Sequence, residues 1–252
     1  MTHERLPDYV AGPHNQKLRR LRATSDIPLF SIKAGDIGGF VADGAYVHPD
    51  SWVDACSTVA GNAKIGPHVL VTDASLVADH ARVSGTEGAP SNIYGSMIDR
   101  SARVEASTIT DSAISGDARI TGYEITRSTI YGTAQASADP TSPSRHTVKN
   151  STMGNSAQVR RAIVDSSTML GSAQAYDCRV ITSTLTGSTV VDGGAVNNCR
   201  IRDAKIHGRY MDEARISGRH VIHEREAYDE CAGDSIDPDP KLIYSKDQAA
   251  NY

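Results

Sequence analysis

Aliphatic residues recur along this chain at an interval that fits neither a helix nor a simple strand. An amphipathic helix shows a period near 3.6 and a half-buried strand a period of 2, whereas the interval here is six residues. The aliphatic positions are Val41, Val47, Val53, Val59, Ile65, Val71, Val77 and Val83. An unbroken repeat of this kind predicts a solenoid in which each short strand contributes one inward branched side chain.

A small side chain follows four positions after each of the first seven aliphatic residues. These positions hold Ala45, Ser51, Ser57, Ala63, Val69, Ser75 and Ala81, of which Val69 is the largest. A tight corner has room only for a small inward side chain, so the pattern predicts alternating strands and corners. Three strands would close one coil of 18 residues, and stacked coils would pair equivalent strands at about 4.8 Å.

The period shortens from residue 98 onward. The inward series becomes Ile98, Val104, Ile109, Ile114, Ile120, Ile125, Ile130 and Ala136, and later resumes with Val148, Met153, Val159, Val164, Met169, Ala175, Val180, Leu185, Val191, Val196, Ile201 and Ile206. Spacings of six, five and five residues predict coils of 16 residues. The residue two before each of these aliphatics stays small at most positions, with Tyr123 as the clear exception.

Three parts are predicted from this pattern. Residues 1–38 precede the repeats and form an N-terminal cap, 39–222 form the β-helix, and 223–252 form a C-terminal cap and tail. Caps are expected because a solenoid exposes an unpaired strand edge at each end. The segments 84–92 and 137–147 are rich in Pro, Ser and Gly and are predicted to be loops extruded at corners.

The stretch KAGDIGGFV, Lys33 to Val41, resembles the start of the YdcK-like solenoid proteins, with Phe40 where that family usually has Trp. The repeats resemble those of the wider hexapeptide-repeat superfamily, which is acyltransferase-like. The resemblance implies an all-β fold, a single-stranded left-handed parallel β-helix with capped ends. The left-handed sense comes from the resemblance alone, since it runs against the usual crossover rule.

The composition argues against several functional classes. The net charge is −4, which gives no general electrostatic reason to bind nucleic acid or an anionic membrane. There is no apolar run of about 18 residues, so no transmembrane helix is expected, and the N-terminus lacks the apolar core of a secretory signal. We therefore expect a cytoplasmic protein without nucleic-acid or membrane partners. The four cysteines form no C-x-x-C pair, which argues against a zinc site.

His146 is the best candidate for a catalytic residue, because acyltransferases of this superfamily typically use a histidine as general base. It lies in the predicted loop 137–147 beside Arg145, which would meet a phosphate of coenzyme A. What the resemblance implies is an active site between subunits of a trimer. The alternative interpretation is a solvated loop histidine.

Other sites are less well supported. No two histidines have the H-x-x-x-x-H spacing of the γ-carbonic anhydrases, so no metal site is predicted. The T-x-T segments at 108–110 and 184–186 do not continue as threonine columns, which argues against ice binding. Basic residues crowd the last coils, where an anion-binding groove remains open as an alternative to a solvated face: Arg179, Arg200, Arg202, Lys205, Arg209 and Arg215.

The sequence leaves two candidate functions. The regular exterior and the variable coil length favour a non-catalytic scaffold or binding module without a cofactor. The alternative is a CoA-dependent acyltransferase that uses acetyl-CoA. For either function we expect a homo-oligomer, with a trimer favoured by the enzyme analogy, and a further protein or small-molecule partner that the sequence does not identify.

Overall fold

The protein, seen in a computed structural model, is a β-solenoid built from three sheets. The structure describes residues 2–12, 15–137, 146–150 and 152–154, together with short strands between 158 and 244. Its strands are numbered here in chain order. From β3 (Ile37–Ala42) to β34 (Val221–His223), consecutive strands pass from sheet 1 to sheet 2, then to sheet 3 and back to sheet 1, and β35 (Ile243–Tyr244) pairs with β34 in sheet 2. The predicted all-β parallel β-helix is confirmed.

Sheet 1 begins with two N-terminal strands and then takes one strand from each coil. A 3₁₀ turn at Pro28–Phe30 lies between its second and third strands. Its described strands, in spatial order, are β1 (His3–Ala11), β2 (Lys17–Ala23), β3 (Ile37–Ala42), β6 (Thr58–Val59), β9 (Leu76–Val77), β12 (Met97–Ile98), β15 (Ala113–Ile114), β18 (Thr129–Ile130), β21 (Thr152–Met153), β24 (Thr168–Met169), β27 (Thr184–Thr186), β30 (Arg200–Arg202) and β33 (Arg215–Ile216).

Sheets 2 and 3 are parallel throughout their described strands. Sheet 2 contains β4 (Tyr46–Val47), β7 (Lys64–Ile65), β10 (Arg82–Ser84), β13 (Arg103–Glu105), β16 (Arg119–Thr121), β19 (Gln135–Ser137), β22 (Gln158–Arg160), β25 (Gln174–Ala175), β28 (Val190–Val191), β31 (Lys205–His207), β34 (Val221–His223) and β35 (Ile243–Tyr244). Sheet 3 contains β5 (Trp52–Val53), β8 (Val69–Thr72), β11 (Ser91–Tyr94), β14 (Thr108–Thr110), β17 (Tyr123–Thr126), β20 (His146–Lys149), β23 (Ile163–Asp165), β26 (Arg179–Ile181), β29 (Ala195–Asn197) and β32 (Tyr210–Asp212).

The core is the narrow lumen that these sheets enclose. Every predicted inward aliphatic from Val41 to Val83 and from Ile98 to Ala136 is buried, and so is Val148. Tyr123, the exception among the small corner residues, is also buried. The sequence pattern missed Ile93, which is fully buried and pairs with Val71 in the coil before it and Ile109 in the coil after it.

The predicted change of coil length is confirmed by the strand register. Val41 pairs with Val59 and Val59 with Val77, so one coil takes 18 residues at this end. Ile98 pairs with Ile114, and Ile114 with Ile130, so one coil takes 16 residues beyond residue 98.

Both predicted loops interrupt this register between a strand of sheet 2 and the following strand of sheet 3. At the predicted loop 84–92, the residues outside strands are 85–90. At the predicted loop 137–147, Ser137 ends β19 and His146 begins β20, and residues 138–145 lie outside the described residues. Of the predicted C-terminal cap and tail, residues 223–252, the structure describes His223 and the strand Ile243–Tyr244.

An antiparallel hairpin covers the open edge of the first coil. Strand β1 pairs with β2, and β2 pairs with β3. The carbonyl oxygen of Ala63 accepts the N–H of Tyr46 from the coil above, but the equivalent oxygen of Ala45 has no coil above it. Arg5 donates to that oxygen instead, with Nη2 at 2.5 Å. The hairpin thus satisfies an edge carbonyl that would otherwise be open to pairing with another chain.

The two glycines of the KAGDIGGFV stretch allow β3 to lie close to the corner that follows β5. A Cβ on Gly39 would lie 2.2 Å from the carbonyl oxygen of Asp54 and 2.3 Å from that of Ser57. A Cβ on Gly38 would lie 2.6 Å from the carbonyl oxygen of Val53. Any other residue at these two positions would force the first coil apart, so close backbone approach explains why both are glycine.

Buried serines link successive coils at the corner between sheets 3 and 1. After the first, each donates its backbone N–H to the hydroxyl oxygen of the serine one coil earlier, over distances of 3.0 to 3.2 Å. The row consists of Ser57, Ser75, Ser96, Ser112 and Ser128. These bonds satisfy corner N–H groups that lie inside the solenoid, where an unmade hydrogen bond is costly.

Candidate functional site

The predicted catalytic residue His146 lies at the start of β20 and pairs with Tyr123 of the preceding coil. Its side chain and Arg145 fall outside the part of the chain that the structure describes. The His146–Arg145 site therefore stays a prediction. What the register does fix is the backbone position of His146, at the edge of sheet 3 that adjoins sheet 2.

A shallow groove of about 400 Å³ follows the opposite edge of sheet 3, at its corner with sheet 1. Leu76, Met97 and Ala113 give it an apolar floor on sheet 1, and Asp111 and Arg127 stand at its rim. The groove crosses four coils, and its apolar floor beside one carboxylate and one guanidinium would suit a small amphipathic group.

The corner that carries the groove bends through residues with positive φ. Gly95, Asp111, Arg127 and Asn150 stack there with φ between 48 and 52°, and each donates its N–H to the strand of the preceding coil. His146 begins the strand that ends at this corner. Four residues of extended chain separate His146 from Asn150, about 13 Å at the usual rise per residue. Within one chain, the backbone of His146 and the corner that carries the groove therefore lie at opposite ends of β20.

A row of exposed cations occupies the outer face of sheet 2. Strand pairing places the four residues in neighbouring coils at the same register position, one residue before the inward aliphatic. We call this row the basic ladder; it consists of Lys64, Arg82, Arg103 and Arg119. Each alternates with a buried neighbour, so its side chain is on the solvent face of the strand.

The basic ladder has no internal compensation. Among the residues that the structure describes, the ion pairs involve other side chains, and no member of the ladder takes part in one. Like charges directly opposite each other on neighbouring strands are destabilising. Neighbouring strands lie about 4.8 Å apart, which is within the range of mutual repulsion even in water. The ladder thus works against folding unless an anion binds to it.

The ends of the basic ladder differ in their surroundings. Tyr46 precedes Lys64 in the same column and is 49% exposed, while Gln135 follows Arg119 and is also exposed. Two exposed acids lie near one end: Glu105 follows Arg103 by two residues and Asp117 precedes Arg119 by two. The excess of positive charge is therefore greatest at the Lys64 end.

Three other histidines in the repeats, His48, His68 and His80, do not converge on one site. His48 packs its ring edge-on against Tyr46 and lies 3.6 Å from a carboxylate oxygen of Asp50. His68 lies at the corner between sheets 2 and 3, and His80 at the corner between sheets 1 and 2. Across the described residues, no three His, Cys, Asp or Glu side chains gather where they would hold a metal ion.

The threonine pattern is interrupted as the sequence predicted. In sheet 3, Thr108 lies between Asn92 and Glu124, and Thr110 lies between Tyr94 and Thr126. The face is therefore mixed rather than a flat threonine array. No helix among the described residues is long and apolar enough to span a membrane.

Comparison with known proteins adds no assignment: no family model matches the chain, and no curated protein shows significant sequence similarity to it. What the protein does must therefore be inferred from its own surfaces.

The sequence interpretation missed the basic ladder, although a signal for it exists. Each member lies immediately before an inward aliphatic, as in Lys64-Ile65 and Arg82-Val83. The members are 18, 21 and 16 residues apart, because the loop at 85–90 and the shorter later coils change the interval. Only a correct register through Ile93 brings them into one column.

Proposed function

We propose that this protein is a non-catalytic β-solenoid that acts as a binding module or scaffold, and that the basic ladder is its binding surface. The observation that carries the proposal is a row of four exposed cations, one in each of four successive coils, without ion-pair partners among the described residues. The resemblance to YdcK-like solenoids of the hexapeptide-repeat superfamily, and a cytoplasmic location, belong to the same proposal.

In the free protein, the basic ladder raises the free energy of the folded state. Stacked like charges oppose folding, and long cationic side chains lose conformational freedom when they are aligned. An anionic partner would reverse the electrostatic cost, since the rigid sheet already holds the cations in line. Little reorganisation would then be needed on binding, and preorganisation of this kind favours affinity.

The competing function is a CoA-dependent acetyltransferase with His146 and Arg145 at an interface between subunits of a trimer. It rests on the superfamily resemblance and on the position of these two residues in the chain. A thermal melt with increasing acetyl-CoA separates the two functions. An enzyme of this class would be stabilised by about 2.7 kcal/mol at 100 times the dissociation constant.

For the binding module we expect no change of melting temperature up to millimolar acetyl-CoA or CoA. A saturable rise at micromolar acetyl-CoA would overturn the proposal in favour of the enzyme. His146→Ala would then separate two roles of the loop, because loss of a general base abolishes turnover but leaves the acetyl-CoA shift intact.

A further inference from the structure

We infer that the basic ladder binds a linear acidic polysaccharide lying parallel to the solenoid axis, with carboxylate or sulfate groups against the cations. The inference rests on the proposed function, since it names the partner of the same surface. The net charge of −4 does not favour an anionic partner, so the support for the inference is the local arrangement of the four cations.

The geometry of the ladder sets the repeat of the partner. Paired strands place its four members in successive coils, in a column that runs across the strands and therefore along the solenoid axis. At about 4.8 Å per strand, the column is about 14 Å long. A partner that meets all four cations must be linear, extended, and charged at intervals that match the coils.

A chain of sugar units fits this repeat better than the other common polyanions. One pyranose unit of an extended polysaccharide is close in length to the strand spacing of about 4.8 Å, so acid groups on one face, which recur at every second unit of a twofold chain, stay in step with every second cation. An extended acidic peptide presents same-face side chains every two residues, about 6.8 Å apart, and would move out of register within the ladder. Single-stranded nucleic acid usually requires aromatic platforms for its bases, and the ladder's column has one described ring, that of Tyr46.

The surroundings of the ladder also suit a sugar chain. The column beside it contains Gly66, Ser84 and Thr121, which are small or carry a hydroxyl group, and one carboxylate, Glu105, near the Arg119 end. A Cβ on Gly66 would lie 2.9 Å from the Cβ of Ser84, so this second column is tightly stacked and leaves a flat surface. Hydroxyls next to fixed cations provide the mixture of hydrogen bonds and charge that an acidic sugar offers in return.

The ladder's column continues beyond its last cation with amide side chains. Gln135 is in register with Arg119, and Gln158 and Gln174 follow at the same register position in the next two coils. A polysaccharide longer than the ladder would thus reach neutral positions at one end. At the other end it would reach Tyr46, an exposed ring on which a sugar face can stack.

The test measures binding of two size-defined oligosaccharides by fluorescence anisotropy at low and high salt. One is an oligogalacturonate, which carries only carboxylates, and the other is a heparin oligosaccharide, which carries sulfates. The variant Lys64→Gln/Arg82→Gln removes the two cations at the more positive end. The control Lys17→Gln/Arg100→Gln removes the same charge from exposed cations outside both the ladder and the groove.

We expect at least one oligosaccharide to bind saturably, with an affinity that falls as salt rises. The ladder variant should weaken binding at least tenfold and reduce the salt dependence, while the control should stay within about threefold of the wild type. The relative affinity of the two oligosaccharides then identifies carboxylate or sulfate as the preferred group.

Three results would overturn the inference: no saturable binding of either oligosaccharide, equal weakening by the ladder variant and its control, or equally tight binding of oligo(dT) or polyglutamate of the same charge. The last result would leave a binding module with a different partner. By contrast, failure of the proposed function itself would appear as an acetyl-CoA shift in the thermal melt, which none of these arms measures.

Discussion

Two stretches of this solenoid turn the same corner, between sheets 3 and 1, with different numbers of residues. In the 18-residue coil that contains Ser75 the corner has two residues with positive φ, Asp73 and Ala74, and the Ser75 hydroxyl donates to the carbonyl three residues earlier, Thr72. In the 16-residue coils it contains one such residue, Asp111, and the Ser112 hydroxyl donates to the carbonyl two residues earlier, Thr110. The serine is retained while the residue beside it is lost.

The corner between sheets 1 and 2 does not shorten, and it is built differently. Its inward residue is alanine in every described coil: Ala45, Ala63, Ala81, Ala102, Ala118 and Ala134. The N–H of Ala81 bonds to Ala78 and that of Ala102 bonds to Asp99, both three residues earlier in the same coil. Here the backbone closes its own turn, so no side-chain hydroxyl is needed.

The difference between the two corners shows where a coil can lose a residue. At a serine corner, the inward N–H is satisfied by the hydroxyl of the previous coil, as between Ser128 and Ser112. The turn no longer depends on a bond within its own coil, so it can lose a residue. At an alanine corner the local bond fixes the six-residue spacing. In the 16-residue coils the residues are thus lost at the serine corners, where the inward N–H bonds to the hydroxyl of the previous coil, and not at the alanine corners.

The largest expected effect tests whether both stretches depend on the same dry lumen. Val59→Asp in an 18-residue coil and Ile109→Asp in a 16-residue coil should each destabilise the protein by several kcal/mol, because an unpaired charge would be buried. Both residues are fully buried. Hydrogen exchange should show protection lost first in the coils around the substituted residue, since repeats depend mainly on their neighbours.

Lys64→Ala is the matched surface control for Val59→Asp, because Lys64 is exposed and lies on the next strand of the same coil. It should change stability by about 0.5 kcal/mol or less. Equal melting of Val59→Asp and Lys64→Ala would contradict the burial of the inward series.

The sequence predicted the fold well because burial is periodic. From Val41 to Val83 and from Ile98 onward, each inward position needs a branched aliphatic, and the register follows from counting. Counting fails where a loop changes the interval, which is why Ile93 was missed and the predicted loop 84–92 overlapped strand β11. The basic ladder was missed for the same reason, since surface positions carry no periodic constraint of their own and become a column only when coils are stacked.

The second prediction concerns the serine corner of the shorter coils. The Ser112 hydroxyl accepts the N–H of Ser128 at 3.0 Å and donates to the carbonyl of Thr110 at 2.7 Å. Ser112→Ala should cost about 1–3 kcal/mol, because the N–H of Ser128 would be buried without an acceptor. Chemical denaturation would measure the change.

Ser115→Ala provides the control, as it deletes the same atom from an outward-facing position of the same coil. It should stay within about 0.5 kcal/mol of the wild type. If the two serine variants were equally stable, hydrogen bonding between coils would not be what holds the shortened corner.

The smallest expected effect is a pH dependence confined to the first 18-residue coils, where the carboxylate of Asp54 holds the corner between sheets 3 and 1. Partial burial opposes ionisation of Asp54, but hydrogen bonds from Thr72, Ser57, Asp73 and Cys56 outweigh it and hold its pKa below the usual value. Its stabilisation is therefore complete above about pH 4, the unfolded value, and is lost as the pH falls through the lower folded value. Melting curves at about pH 5 and about pH 3 should show a smaller loss for Asp54→Asn than for the wild type over this window. Glu87→Gln, in the exposed loop at 85–90, should leave the wild-type response unchanged. If Asp54→Asn lost as much stability as the wild type on acidification, the Asp54 carboxylate would not be what stabilises this corner.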